Sequence, residues 1–138
     1  MIVDMKTVMR FDVWYHPVMA QPLAEAPGVA LHTVARSADP RLILDTLQAS
    51  HVYQVPSARD ELPPWHVGAK LLASLPRLLC VSTNGAGYGT VEVDACTRAG
   101  VLVANQSGAN AQSVAEATLG LMFNCARQIE AHSEGFFL

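Results

Sequence analysis

The sequence contains no run of lysine and arginine, and its formal net charge is -3. It therefore lacks the basic surface that a nucleic-acid partner requires. No Cys/His cluster has zinc-ligand spacing, so no metal site is expected. Cysteine is scarce: Cys80, Cys96 and Cys125 form an odd set in different predicted elements. They read as buried, reduced residues of a cytoplasmic protein rather than as disulfides or reactive thiols. No apolar run is long enough to cross a bilayer; the most apolar segment, 114–129, is short and interrupted. The opening residues carry Asp4, Lys6 and Arg10 and lack the continuous apolar stretch of a secretory signal. No membrane partner is expected. No repeat, low-complexity tract or linker divides the chain. What is present suits a packed domain: 51% of the 138 residues are apolar and only 15% are charged.

Short β-like runs alternate with helical stretches. Residues 11–15 form the first strand candidate, and Pro17 closes it. A short helix around 23–26 stops at Pro27-Gly28, and residues 29–34 form a second strand. Asp39-Pro40 is a helix start, because Asp caps and Pro suits the first helical position. Leu42, Ile43, Leu44 and Leu47 then carry helical spacing. A third strand at 51–55 leads into a polar loop, 56–64, and a helix at 65–75. The fourth strand, 77–82, is nearly all apolar, as a strand covered on both faces must be. A helix at 90–99 ends at Gly100, a residue suited to a left-handed C-cap. A fifth strand follows at 101–104. The last helix opens with the capping box Ser113-Val114-Ala115-Glu116 and runs to about His132. This alternation predicts an α/β fold, a doubly wound parallel five-stranded sheet with a long C-terminal helix.

The chemically suggestive stretch is Asn84-Gly85-Ala86-Gly87-Tyr88-Gly89-Thr90, placed between a strand and a helix. Its spacing is Gly-x-Gly-x-Gly, and Thr90 stands where a dinucleotide fingerprint needs its third glycine. The next strand ends at Asn105, with no acidic residue for a ribose hydroxyl. A pyrophosphate is not expected here. The loop can still offer successive backbone N–H groups to a small anion, helped by the following helix N-terminus. A tight turn with no ligand is the other reading, and the two stay open at this point.

The segments Leu75 through Val81, Gly85-Ala86-Gly87-Tyr88, Val93 through Val101, Asn105 through Asn110, and Ser113-Val114-Ala115-Glu116 followed by Thr118-Leu119 together resemble the D-isomer-specific 2-hydroxyacid dehydrogenases. The match covers residues 75 to 130. The resemblance implies a flavodoxin-like substrate domain over 1–110, with 111–138 as an interdomain helix opening a truncated NAD-binding domain of Rossmann type. It implies that Ala86 and Gly87 present backbone amides to the carboxylate of a small 2-hydroxy or 2-keto acid. Arg59 lies in the loop where the family often places substrate contacts; a solvated loop arginine is the alternative. Asn110 and Val114 would lie near the nicotinamide end of the cleft; a loop-capping amide and a core valine are the alternatives. NAD or NADP serves the complete family enzyme, and this chain alone is expected to bind neither.

Several departures bear on activity. Gly89 replaces a common Asp, and Ala117 replaces a frequent His. The Gly-x-Gly-x-x-Gly segment and the catalytic Arg, Glu and His do not occur within the 138 residues. None of His16, His32, His51, His66 or His132 stands in a matching motif, so each reads as a surface or packed histidine. The expected function is the N-terminal portion of an NAD-dependent D-2-hydroxyacid dehydrogenase, inactive alone. Two alternatives remain: a stand-alone flavodoxin-like module for a small acid or a protein partner, and a nucleotide binder using the Gly85 loop. Adjoining apolar stripes on the last helix predict self-association through 113–130.

Overall fold

The computed structural model describes residues 5–13, 20–56 and 63–130. The chain divides into two compact units, Met1–Gln106 and Ser107–Leu138. The first unit contains a sheet in the order β2-β1-β3-β4-β5. Its strands are β1 (Lys6–Phe11), β2 (Val29–Val34), β3 (Val52–Val55), β4 (Cys80–Thr83) and β5 (Leu102–Ala104). All four pairings are parallel. This is the expected doubly wound, flavodoxin-like arrangement. The helices are α1 (Ala20–Glu25), α2 (Pro40–Ala49), α3 (Ala69–Leu72), α4 (Val93–Ala99) and, in the second unit, α5 (Ala111–Arg127).

Register and the alternation of side chains along a strand decide which residues form the core. Met9, Tyr53, Val81 and Val103 lie in one row across the sheet, and Phe11 aligns with Val34. Met9, Tyr53, Val81 and Phe11 are buried, and they cluster with Ile43 and Leu47 of α2, Leu72 of α3 and Ala95 and Cys96 of α4. Phe11 meets Tyr53 edge-on at 6.2 Å between centroids. The Tyr53 hydroxyl donates to the Trp65 carbonyl at 3.3 Å. Burying each such side chain contributes about 1.5–3 kcal/mol. The opposite face is less fully covered. Val8 and Gln54 are buried there, but Leu102 is 65% exposed.

Helix α2 starts as its residues dictate: the Asp39 carboxylate accepts from the Arg41 amide at 2.7 Å, with Pro at the helix opening. Elsewhere the boundaries shift for physical reasons. The first strand is Lys6–Phe11 rather than 11–15, because Val8, Met9 and Phe11 are the residues that a central strand buries. The helix expected at 65–75 shrinks to α3, and the helix expected at 90–99 becomes α4. One isolated parallel bridge, Val67 with Val91, explains the later start of both. The Val67 amide donates to the Thr90 carbonyl, and the Glu92 amide donates to the Val67 carbonyl, each at 2.8 Å. Extended residues at 67 and 91 cannot also be helical.

In the second unit the expected capping box is absent. Asn110 is the N-cap and Ser113 sits inside the helix, while Gln112 Nε2 donates to Glu116 at 2.9 Å. Helix α5 ends at Arg127, with Gln128 in the left-handed region, rather than near His132. None of its residues is buried. Val114 is therefore exposed, not a core valine. The cysteines also separate: Cys96 is buried, Cys80 half-buried, and Cys125 exposed, contrary to its expected burial. Burial pushes the Cys80 and Cys96 thiols above their ordinary value, with Glu92 adding to the effect at Cys96. Among the described residues no helix is long and apolar enough to cross a membrane.

Helix α4 ends as expected at Gly100, with φ 72° and ψ 24°. A Cβ there is disfavoured by backbone conformation although the surrounding space is open. Gly100→Ala is expected to lower unfolding stability by about 1 kcal/mol, read by urea denaturation.

Candidate functional site

In open parallel α/β sheets, ligands bind outside the carboxyl ends of the strands. Strand β4 ends there at Thr83, and the glycine loop, residues 84–90, follows it. The loop is tied to the strand ends on both sides. Gln54 of β3, itself buried, donates through Nε2 to Asn84 Oδ1. Its register partner on β1 is Arg10. Burial lowers the Arg10 guanidinium pKa from its ordinary value, with Asp12 opposing that shift. Thr83 Oγ1 donates to the Gly85 carbonyl at 3.0 Å. The Gln106 amide donates to the same carbonyl at 3.0 Å. Asn105 Nδ2 donates to the Ala86 carbonyl at 3.0 Å.

Two of the expected site residues are consecutive in the sequence and lie within the described loop. Ala86 and Gly87 are adjacent and exposed. Among the described residues no acceptor is found for either amide. Arg59 lies outside the described residues. Asn110 and Val114 belong to the second unit, at the cap and within the first turns of α5. The Asn110 side chain makes no capping bond, and its carbonyl accepts from the Val114 amide at 2.9 Å. The residues that the sequence did not reveal as part of the site are Thr83, Asn105 and Gln106. Each lies at or just past the carboxyl end of a strand, and Asn105 and Gln106 stand in a segment that carries the family resemblance.

Two expected features of the loop differ. Gly85, Gly87 and Gly89 all lie outside the left-handed region, so the alternation of right- and left-handed residues that makes an anion nest is not formed. Helix α4 does not open at the loop either. Thr90 is buried, Val91 is in the bridge, and the helix begins at Val93. A dinucleotide pyrophosphate needs a helix N-terminus directly after the glycine turn. The residues present do not fit that group.

Of the described histidines, His66 precedes the Val67–Val91 bridge and lines a cleft that reaches Gly89 and Thr90, while His51 and His32 lie elsewhere. His51 is buried at the other end of the sheet, just before β3. Its Nδ1 accepts from the Thr7 amide at 3.1 Å and its Nε2 lies 3.2 Å from the Arg77 guanidinium. His32 is exposed on β2, and His16 and His132 lie outside the described residues. Among the described residues no group of three or more His, Cys, Asp and Glu is placed to hold a metal ion. A cleft of about 750 Å³ lined by Leu44, Trp65, Lys70 and Leu71 reaches Gly89 and Thr90 but not Ala86 or Gly87.

Glycine is not demanded by conformation at position 87, and a Cβ built there meets nothing within 4 Å. Gly87→Ala is therefore expected to leave unfolding stability unchanged or to raise it by about 0.4–1 kcal/mol. Urea denaturation beside Gly100→Ala checks the contrast; a loss as large as at Gly100 would refute it.

A family model for the D-isomer specific 2-hydroxyacid dehydrogenase catalytic domain matches residues 11–135. The D-3-phosphoglycerate dehydrogenase of Mycobacterium bovis is 45% identical over 65 residues, which are 47% of this chain and 12% of that protein. A 2-hydroxyacid dehydrogenase from Ketogulonicigenium vulgare superposes with a TM-score of 0.71 at 19% identity, covering 92% of this chain and 37% of that one. A D-lactate dehydrogenase from Aquifex aeolicus, solved with NAD and lactic acid, superposes at 0.66 and 20% identity, covering 94% and 37%. At such identities the superpositions show the fold alone. The chain spans about an eighth of the mycobacterial relative and under two fifths of each of these two structures.

Proposed function

This chain belongs to the D-isomer specific 2-hydroxyacid dehydrogenase family, and on that premise we propose that it forms the substrate-domain portion of such an enzyme. On this reading residues 1–110 hold the substrate, and residues 111–138 open the cofactor domain. The substrate is a small 2-hydroxy or 2-keto acid. The observation that carries the proposal is the exposed amide pair of Ala86 and Gly87, at the carboxyl edge of a parallel sheet and without an acceptor among the described residues. A carboxylate has two oxygens, and two adjacent N–H donors suit it; such charge-assisted bonds are the strong ones.

NAD or NADP, when bound to the complete enzyme, supplies or accepts the hydride at C2. The residues of this chain bind and orient. Ala86 and Gly87 hold the carboxylate, Arg59 adds a cation near it, and Asn110 and Val114 lie toward the nicotinamide end. Orientation lowers a barrier only when the acid/base group and the cofactor are also present. The 138 residues by themselves therefore hold an acid without turning it over. A stand-alone binding module would do the same, and the loop with its anchors does lie within one compact unit.

Pure 138-residue protein is expected to oxidise NADH no faster than buffer does with glyoxylate, hydroxypyruvate or pyruvate. The same keto acids are expected to bind weakly without NAD. Clear turnover would overturn the reading. Micromolar NAD binding to the chain alone would make the loop a nucleotide site instead.

A second expectation concerns α5. Val114, Leu119, Leu121, Met122 and Phe123 are 53–64% exposed. A helix apolar on adjoining faces needs cover. We propose that the chain self-associates through 113–130. Light scattering at high protein concentration is expected to show a species larger than the monomer; a monodisperse monomer would refute it.

A further inference from the structure

We propose that Asn105 is the positioning residue that aims the Gly87 amide, an inference that rests on the carboxylate reading of the loop. The loop has a geometric problem to solve. It offers two neighbouring N–H groups, yet it contains no left-handed residue to turn them toward one side. The hydrogen bonds to its carbonyls supply the answer.

In a trans peptide the N–H points opposite to the C=O of the same unit. Holding a carbonyl therefore aims the next residue's amide. The Gly85 carbonyl accepts from Thr83 Oγ1 and from the Gln106 amide, each at 3.0 Å. That turns the Ala86 N–H away from residue 106. The Ala86 carbonyl accepts from Asn105 Nδ2 at 3.0 Å. That turns the Gly87 N–H away from residue 105. Residues 105 and 106 are consecutive and directly follow β5. Both carbonyls thus face one short segment, and both amides face away from it.

The two peptide units are not equally secured. The Gly85 carbonyl has two donors, one of them backbone, so losing the Thr83 hydroxyl leaves the other. The Ala86 carbonyl has the Asn105 side chain, and no other donor to it is found among the described residues. Its peptide unit flanks Gly87, where a Cβ would meet nothing within 4 Å and packing gives no restraint. Asn105 is exposed, so its replacement opens no core cavity. Aspartate at this position would set an acceptor against the carbonyl and reverse the sense of the contact.

The test uses the 15N-labelled 138-residue chain and pyruvate as the probe, following the Ala86 and Gly87 amide resonances. In the native chain both are expected to move along one binding curve. Asn105→Ala is expected to weaken binding by about threefold to tenfold, the scale of one net hydrogen bond. It should cut the Gly87 response while Ala86 still responds, with the urea midpoint unchanged. Asn105→Asp is expected to affect Gly87 more strongly than Asn105→Ala does. A general structural lesion would disturb both amides together, and that outcome, or a native Gly87 response in both variants, would overturn the inference. If the native chain shows no pyruvate response at either amide, the carboxylate reading fails instead. The heteronuclear NOE of Gly87 in the ligand-free chain then decides the role of Asn105. A fall in Asn105→Ala supports it, and an unchanged value refutes it.

Discussion

Two backbone hydrogen bonds tie Val67 to the far side of the glycine loop, one from its amide to Thr90 and one to its carbonyl from Glu92. Both valines of this bridge are buried. The bridge holds residues 67 and 91 extended, so α3 cannot start before it and α4 cannot start at Thr90. It also keeps the loop apart from the start of α4. A glycine turn that ran straight into a helix would present a helix N-terminus to a phosphate. Here two extended residues intervene between the loop and α4.

The glycines of this loop have a different use from the one that their spacing suggests. None of the three adopts a conformation closed to other residues, and none is crowded. Their value lies in what they omit: without side chains at 85, 87 and 89 the peptide groups stay open to approach. The order in the loop comes from outside it, through Thr83, Gln106, Asn105 and the Gln54–Asn84 bond. Such a loop is positioned by the strand ends of the sheet. Its precision depends on the parallel register of β3, β4 and β5. His51, buried, is engaged at the opposite end of the sheet by Thr7 and Arg77.

Much of this was legible in the residues. The Asp39-Pro40 start of α2, the Gly100 stop of α4 and the run 29–34 appear where local rules put them, because each depends on neighbours in sequence. The alternation of elements was enough for the parallel sheet. Other features depended on partners that no local pattern names. Val67 reads as helical until Val91 is beside it. Ser113 and Glu116 make a good capping box until the chain enters the helix at Asn110. Cys125 reads as core in an apolar helix, yet no residue of α5 is buried. Asn105 reads as a missing ribose ligand, and its contact with Ala86 spans 19 positions.

By itself the sequence determined the α/β class, the family and the position of the amide pair. Those depend on periodicity, turn chemistry and a string of motifs at fixed spacing, all of which are local. Only the tertiary structure decided what the amide pair can do. Whether an N–H is available, and where it points, depends on which distant donor holds the carbonyl of the same peptide. Donors such as Asn105 and Gln106 come within reach only when β4 and β5 lie side by side.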